Sequence, residues 1–272
     1  MNDSYAVIGN PIAHSKSPLI HAAFAQQTNQ SMHYEALLSP LDAFSATVEN
    51  FRHYGGKGLN VTIPFKLEAY RLSTRLTERA RIAQAVNTLK FENSEVLGDN
   101  TDGIGLVRDI ETNLGITIDS KRILLMGAGG AARGVIFPLL QKNPSLLAIA
   151  NRTPHKAEAL QQYFDTYGTV TSGDFMHFSG EKFDIVINAT SASLHDERPD
   201  LPDDIFAQTI LAYDMMYGRE PTHFLKFAQQ NGARQISDGI GMLVEQAAES
   251  FYLWRNIRPE TKPVIAMLKT LL

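Results

Sequence analysis

The residues with the most chemical potential lie in GLNVTIPFK, residues 58–66. Asn60 and Thr62 alternate with apolar Leu59 and Val61, so the segment reads as a short buried strand with both polar side chains on one face. Pro64 ends sheet pairing, because it has no N–H to donate. Lys66 follows where a helix can begin. Two neutral hydrogen-bonding groups and an ammonium thus gather at the end of a strand, a set that suits a polar, oxygen-rich small molecule. Alone, the segment also fits an ordinary surface turn. Its weight depends on partners elsewhere in the chain.

Several candidates supply such partners. Asp102 lies in GDNTDG, residues 98–103, at a predicted helix start, where a carboxylate also complements the helix dipole. Ser15 and Ser17 in SKSP precede another predicted helix and also fit helix capping. Asn87 sits in a predicted turn and Gln246 on a predicted helix. Each has a local structural explanation when taken singly.

A second kind of site is written in glycine. Gly127, Gly129 and Ala132 form G-x-G-x-x-A directly after Ile123-Leu124-Leu125-Met126 and open a helix. That context lets a backbone approach a pyrophosphate at a helix N-terminus. The next strand ends in Asn151-Arg152-Thr153, with Lys156 beyond, where NAD-binding units usually carry an acid. A cation there suits a 2′-phosphate, so the expected cofactor is NADP(H). None of the eight histidines forms H-E-x-x-H, and His14 beside SKSP is expected to be structural. No metal site is expected.

The elements that must position these residues alternate between strand and helix. Residues 4–9, 33–38 and 58–62 read as strands. Ser17 as N-cap and Pro18 start a helix to about Gln27, and Phe44, Val48 and Phe51 mark a second helix stopped at Gly55-Gly56. Residues 87–92 and 95–100 read as a hairpin around Asn93-Ser94. From residue 121 the pattern becomes strand, glycine turn and helix, with further strands at 146–153, 183–190 and 210–217. This is a Rossmann-type, doubly wound parallel sheet. The expected division is an α/β domain at 1–101, a cofactor domain at 102–238, and C-terminal helices at 239–272.

Composition bounds the function. The chain has 272 residues, 44% hydrophobic and 20% charged, with a net charge of −4. The acidic balance disfavours general nucleic-acid binding. The absence of cysteine excludes disulfides and thiolate catalysis. No secretory pattern or membrane-spanning run is seen, so a cytoplasmic protein without a membrane partner is expected.

The segments SKSP, GLNVTIPFK, AVNTL, GDNTDG, GAGGAARG, NRT, NATS, YDMMYG and DGIGMLVEQA occur in order along nearly the whole chain. In these the chain resembles the shikimate dehydrogenase family. The resemblance implies reversible reduction of 3-dehydroshikimate to shikimate with NADPH, on the route to chorismate and the aromatic amino acids. It implies that the N-terminal domain holds substrate, that the Rossmann domain holds NADP, and that the C-terminal helices return to the substrate domain. By motif position, Ser15 and Ser17 should bind the substrate carboxylate. Thr62, Lys66, Asn87, Asp102 and Gln246 should surround the ring, with Asn60 supporting the wall and Tyr217 reaching substrate from the cofactor domain. Gly127, Ala128, Gly129, Gly130 and Ala131 should cradle pyrophosphate, and Asn151, Arg152, Thr153 and Lys156 should contact the adenosine phosphate end. Met215 and Gly239 should line the nicotinamide site, with Glu78 as a further cofactor-side contact.

These residue types make chemical sense. A serine pair can hold a carboxylate without burying a countercharge. Hydride delivery to a ketone leaves an alkoxide, which Lys66 can protonate as ammonium. Free lysine titrates near ~10.4, so a base role in oxidation needs special conditions, whereas an adjacent Asp102 stabilises the ammonium and favours the donor role. One departure is Ala192-Ser193-Leu194-His195, where relatives commonly have glycine near Ser193; a changed nicotinamide loop is expected there. Rival readings are a broader enzyme acting on quinate or using NAD, a non-catalytic NADP-sensing module, and a folate dehydrogenase. The presence of both Lys66 and Asp102 argues against the sensing module, and SKSP with GDNTDG against the folate enzyme. A monomer or a homodimer is compatible with the sequence.

Overall fold

Short aliphatic runs form the strands, and turn residues set their ends. The computed structural model describes residues 3–190 and 201–271. The chain divides into two compact units, Met1–Gly105 with Leu243–Met267, and Leu106–Met242 with Leu268–Leu272. The expected boundaries at 101/102 and 238/239 are therefore displaced, and residues 268–272 group with the second unit. Turn signals mark loops, whereas all three observed breaks fall inside continuous helices that carry no such signal.

The first unit contains β1 (Asp3–Gly9), α1 (Ser17–Gln27), β2 (Met32–Leu38), α2 (Phe44–His53), β3 (Gly56–Val61), α3 (Lys66–Leu72), β4 (Arg75–Leu76), α4 (Glu78–Ala83), β5 (Thr88–Glu92), β6 (Glu95–Asp99) and the start of α5 (Asp102–Arg108). Its sheet order is β2-β1-β3-β5-β6-β4. β1 pairs in parallel with β2 and β3, whereas β5 runs antiparallel to both β3 and β6. The β5–β6 hairpin turns at Asn93, whose φ of 52° is tolerated by asparagine. Ala6, Ile8, Leu59, Val61 and Leu89 pack with Phe44, Val48 and Phe65 into one core.

In the second unit, α5 continues into a π-helical turn at Asp109–Asn113. There follow β7 (Arg122–Met126), α6 (Gly130–Leu140), β8 (Leu146–Ala150), α7 (Pro154–Phe164), β9 (Val170–Gly173), β10 (Ile185–Asn188), β11 (Leu211–Asp214), α8 (His223–Gln230) and β12 (Gln235–Ser237). The sheet is wholly parallel, in the order β12-β11-β10-β7-β8-β9. This is the expected doubly wound arrangement, and its switch point lies between β7 and β10, where such sheets bind ligands. α9 (Ile240–Arg255) and α10 (Lys262–Leu271) complete the chain.

α9 explains a glycine in the first unit. The Trp254 indole donates to the Leu89 carbonyl at 3.0 Å. A Cβ on Gly58 would lie 2.4 Å from Trp254 Nε1. Gly58 therefore lets the helix seat against β3.

Candidate active site

β3 ends at Val61, and the next residues form a tight turn closed by Phe65 N–H to the Thr62 carbonyl at 3.0 Å. Buried Phe65 stacks on Phe44 at 4.8 Å and anchors that turn. Lys66 follows as the first residue of α3. Asp102 opens α5 just beyond β6. The Lys66 ammonium donates to Asp102 Oδ2 at 2.6 Å, with the two side chains 24% and 11% exposed. A charge-assisted bond this short in a partly dry setting is among the stronger polar contacts a protein makes.

Asn87 holds the other side of Asp102. Its amide donates to Asp102 Oδ1 at 2.8 Å and to Thr101 Oγ1 at 2.9 Å, with Gln246 Oε1 at 3.4 Å. Its carbonyl oxygen accepts from the Thr101 N–H at 2.9 Å. Asn87, Asp102, Gln246 and Lys66 are thus gathered by direct bonds. Thr101 joins them, bonded also toward Gln246 and Ser250, although the sequence reading gave it no role. Its one signal was a hydroxyl residue between two acids in GDNTDG.

Asn60 faces inward. Its amide donates to Ser250 Oγ at 2.9 Å and Thr88 Oγ1 at 3.2 Å, and its oxygen accepts from the Tyr34 hydroxyl at 2.7 Å. Its polar atoms are committed to partners within the unit. Thr62 differs: among the described residues its hydroxyl has no hydrogen-bond partner. Gly9 makes room for it, since a Cβ there would lie 2.5 Å from Thr62 Cγ2.

The serines hold a helix start, but not as expected. The N-cap of α1 is Lys16, with no side-chain cap bond, and Ser17 is the first helical residue. Ser15 Oγ instead accepts the Ser17 N–H at 3.3 Å, so the upstream serine satisfies an orphan donor. Behind them His21 is fully buried and stacked on Tyr34 at 4.1 Å. Neither ring nitrogen makes a hydrogen bond of acceptable geometry, although Asn60 lies close enough to favour the charged form slightly. Burial dominates and pushes the imidazole down to about 3.

The cofactor candidates lie in the second unit, apart from Glu78, which is exposed at the start of α4. Gly127 is buried with φ of +105°, a conformation that favours glycine. A Cβ there would lie 3.1 Å from the Ala189 carbonyl oxygen. A Cβ on Gly129 or Gly130 would meet nothing within 4 Å. Gly129, Gly130 and Ala131 are exposed, and α6 begins without a side-chain cap or an acidic residue. Open space before uncapped N–H groups fits a pyrophosphate.

At the end of β8, Asn151 donates to the Thr153 carbonyl at 2.9 Å, which shapes the turn. Arg152 and Lys156 are exposed, and neither is paired with a carboxylate among the described residues. Two cations placed there fit a phosphate. Met215 and Gly239 meet through backbone: Gly239 N–H donates to the Met216 carbonyl at 3.0 Å, and a Cβ on Gly239 would lie 2.3 Å from Met215 O. Tyr217 is half-buried, and burial raises its phenol. The expected change around Ser193 lies outside the described residues. Among those described, no cluster of metal-binding side chains occurs.

An open glycine turn at the switch point of a doubly wound sheet is the arrangement that dinucleotide-dependent oxidoreductases use, and the first unit carries the bonded Lys66–Asp102 pair. The protein is of that class. Three family models match: the shikimate dehydrogenase substrate-binding domain over residues 7–89, shikimate/quinate 5-dehydrogenase over 109–196, and the shikimate 5′-dehydrogenase C-terminal domain over 239–269. The chain is 64% identical to the shikimate dehydrogenase (NADP(+)) of Nitrosospira multiformis, over 99% of this chain and 98% of that protein. It is 61% identical to the protein of the same name from Nitrosomonas europaea, over 98% and 97%. Among solved structures it superposes on an Ael1 enzyme from Pseudomonas putida with a TM-score of 0.95 at 51% identity, covering 98% of both chains. The shikimate 5-dehydrogenase from Thermus thermophilus, solved with NADP(H) and shikimate, gives 0.89 at 29% identity, over 99% of this chain and all of that one. The chain belongs to the shikimate dehydrogenase family.

Proposed function

We propose that the chain catalyses the reversible NADP-dependent reduction of 3-dehydroshikimate to shikimate, with Lys66 as the proton donor and Asp102 as its partner. The curated relatives carry this activity in their names, and the reaction belongs to the route to chorismate and the aromatic amino acids. The observation that carries the residue assignment is the 2.6 Å Lys66–Asp102 bond, with Asn87 on the other carboxylate oxygen.

NADPH held at the Gly127 turn would provide the hydride that the ketone carbon takes up. The carbonyl oxygen then needs a proton, which the Lys66 ammonium gives. Asp102 holds the Lys66 side chain in place through the 2.6 Å bond and accepts a substrate hydroxyl. Asn87, Thr62, Gln246 and Tyr217 orient the ring, and Ser15 and Ser17 hold the carboxylate. Asn60 acts from behind by fixing Tyr34 and Ser250. Residues Gly127 to Ala131 would hold the pyrophosphate, and Asn151 to Thr153 with Lys156 the adenosine phosphate. Met215 and Gly239 would border the nicotinamide, with Glu78 a further cofactor-side contact. A cytoplasmic enzyme, as a monomer or homodimer, fits the cysteine-free composition. Among the described residues no helix is long and apolar enough to cross a membrane.

Shikimate-dependent NADPH formation, followed by absorbance, tests the reaction. Loss of that signal in a folded Lys66→Ala variant is expected, and its retention would remove Lys66 from the chemistry. The matched model's mention of quinate favours a second, broader reading. Comparison of kcat/KM for shikimate and quinate decides it.

A further inference from the structure

Arg79 and Asp99 form a further ion pair in the first unit, with Asp99 three residues before Asp102. Asp99 is the last residue of β6 and is fully buried. Its Oδ1 accepts from Thr77 Oγ1 at 2.5 Å, Arg79 Nε at 2.7 Å and the Asn100 N–H at 2.7 Å. Arg79 closes the fork on Asp99 Oδ2 and also reaches Glu249 Oε1 at 3.0 Å. Burial works against the guanidinium charge, and Asp99 followed by Glu249 more than restores it.

The clamp joins α4, β6 and α9; α9 carries Gln246, and β6 leads directly to Asp102. Glu249 sits on α9 three residues after Gln246, on neighbouring helical positions. From Asp99 the chain needs only Asn100 and Thr101 to reach Asp102. Asn100 makes that step rigid: its amide donates to the Ala85 carbonyl at 3.1 Å, and its oxygen accepts the Asp102 N–H at 3.1 Å. A continuous chain of bonds runs from Arg79 through Asp99 and Asn100 to Asp102. Few exposed groups are involved, so solvent cannot replace its members at low cost.

We propose that Arg79 and Asp99 are positioning residues for proton transfer: they hold Asp102 against Lys66 and keep the Gln246 face of α9 in register with it. This rests on the reading that Lys66 and Asp102 carry the proton. A second clamp in the same unit offers a control. Arg255 pairs with Asp3, donates to Gln30 Oε1 at 2.8 Å and lies 3.3 Å from the Tyr5 hydroxyl, and none of these partners is a candidate site residue.

The test uses the full chain and compares Arg79→Lys, Asp99→Asn, Arg255→Lys and Lys66→Met. For each, kcat, both substrate KM values, the NADP Kd and the thermal midpoint are measured. Lysine keeps the charge but loses the two-pronged fork. Arg79→Lys should lower kcat on the order of tenfold, as a small misplacement of a reacting group does. The NADP Kd should stay at its wild-type value. Arg255→Lys should lower the midpoint comparably and leave kcat unchanged. Should Asp99→Asn fail to fold, Arg79→Lys decides. Wild-type kcat in folded Arg79→Lys, with Lys66→Met inactive, would overturn the positioning role. Normal turnover in Lys66→Met would instead overturn the reading on which it rests.

Discussion

Around Asp102 polar side chains are spent on one another, whereas around Gly127 the backbone is left open. Asp102 has Lys66 on one oxygen and Asn87 on the other, and Asn87 is itself bound to Thr101. Gly129 and Gly130 have free space above them, and Arg152 and Lys156 have no carboxylate partner among the described residues. A pocket that must move a proton gains from groups fixed before the substrate arrives, because their reorganisation then costs nothing during reaction. A pocket that holds a diphosphate gains from unsatisfied N–H donors and cations that the ligand itself completes. The two regions therefore should fail differently when altered.

After the Lys66 variants, Asp102→Asn gives the largest expected effect. It keeps the shape and the Asn87 contact but removes the charge facing Lys66, and kcat should fall about a hundredfold, within the usual range for acid–base groups. The NADP Kd, measured by calorimetry, should not change. A matching loss in NADP binding would erase the contrast between the regions.

His21 tests how dry the first region is. Unfolded, it takes a proton below ~6.5; folded, only near about 3. The unfolded state thus holds more protons between those values, so stability falls as pH drops through that window. At pH 5 the loss is about 2 kcal/mol by this linkage. His21→Phe should abolish that share, so its urea midpoint should fall less than that of wild type between pH 7 and 5. Equal slopes would show that the ring titrates normally.

Gly129→Ala sharpens the other side of the comparison. The added methyl meets nothing in the free protein, so the thermal midpoint should hold. If pyrophosphate uses that space, the NADP Kd should rise about tenfold, equivalent to ~1.4 kcal/mol. Arg152→Ala should have the smallest effect. It removes one exposed charge contact of about 1 kcal/mol, or roughly fivefold in KM for NADP. KM for NAD should stay the same.

How legible each region was follows from the same contrast. The second unit's strands are buried apolar runs, and its glycine turn obeys backbone rules that need no distant partner. Its parallel sheet and the Gly127 turn could be read directly, although short β9 and β12 were missed because three or four residues show no clear alternation. In the first unit, period-two alternation put Asn60 and Thr62 on one face, but not their different fates. Asn60 is committed to Tyr34 and to Ser250 on α9, and Gly58 answers to Trp254. These contacts join residues far apart in the chain, which no local spacing reveals. The two-residue β4 and the uncapped start of α1 escaped for a similar reason. The substrate-side roles were reached through the family's motifs rather than through spacing, and Thr101 and Asn100 were passed over inside a motif already in view.

The central claim is that Lys66 supplies the proton from a site that Asp102 and Asn87 hold ready. Its most direct test is single-turnover reduction of 3-dehydroshikimate by Lys66→Met, with substrate and NADPH both saturating and the fold checked by circular dichroism. The account predicts that NADPH oxidation slows at least a hundredfold, within the range for loss of a general acid, while the NADP Kd stays at its wild-type value. Oxidation at the wild-type rate in that folded, saturated variant would contradict it.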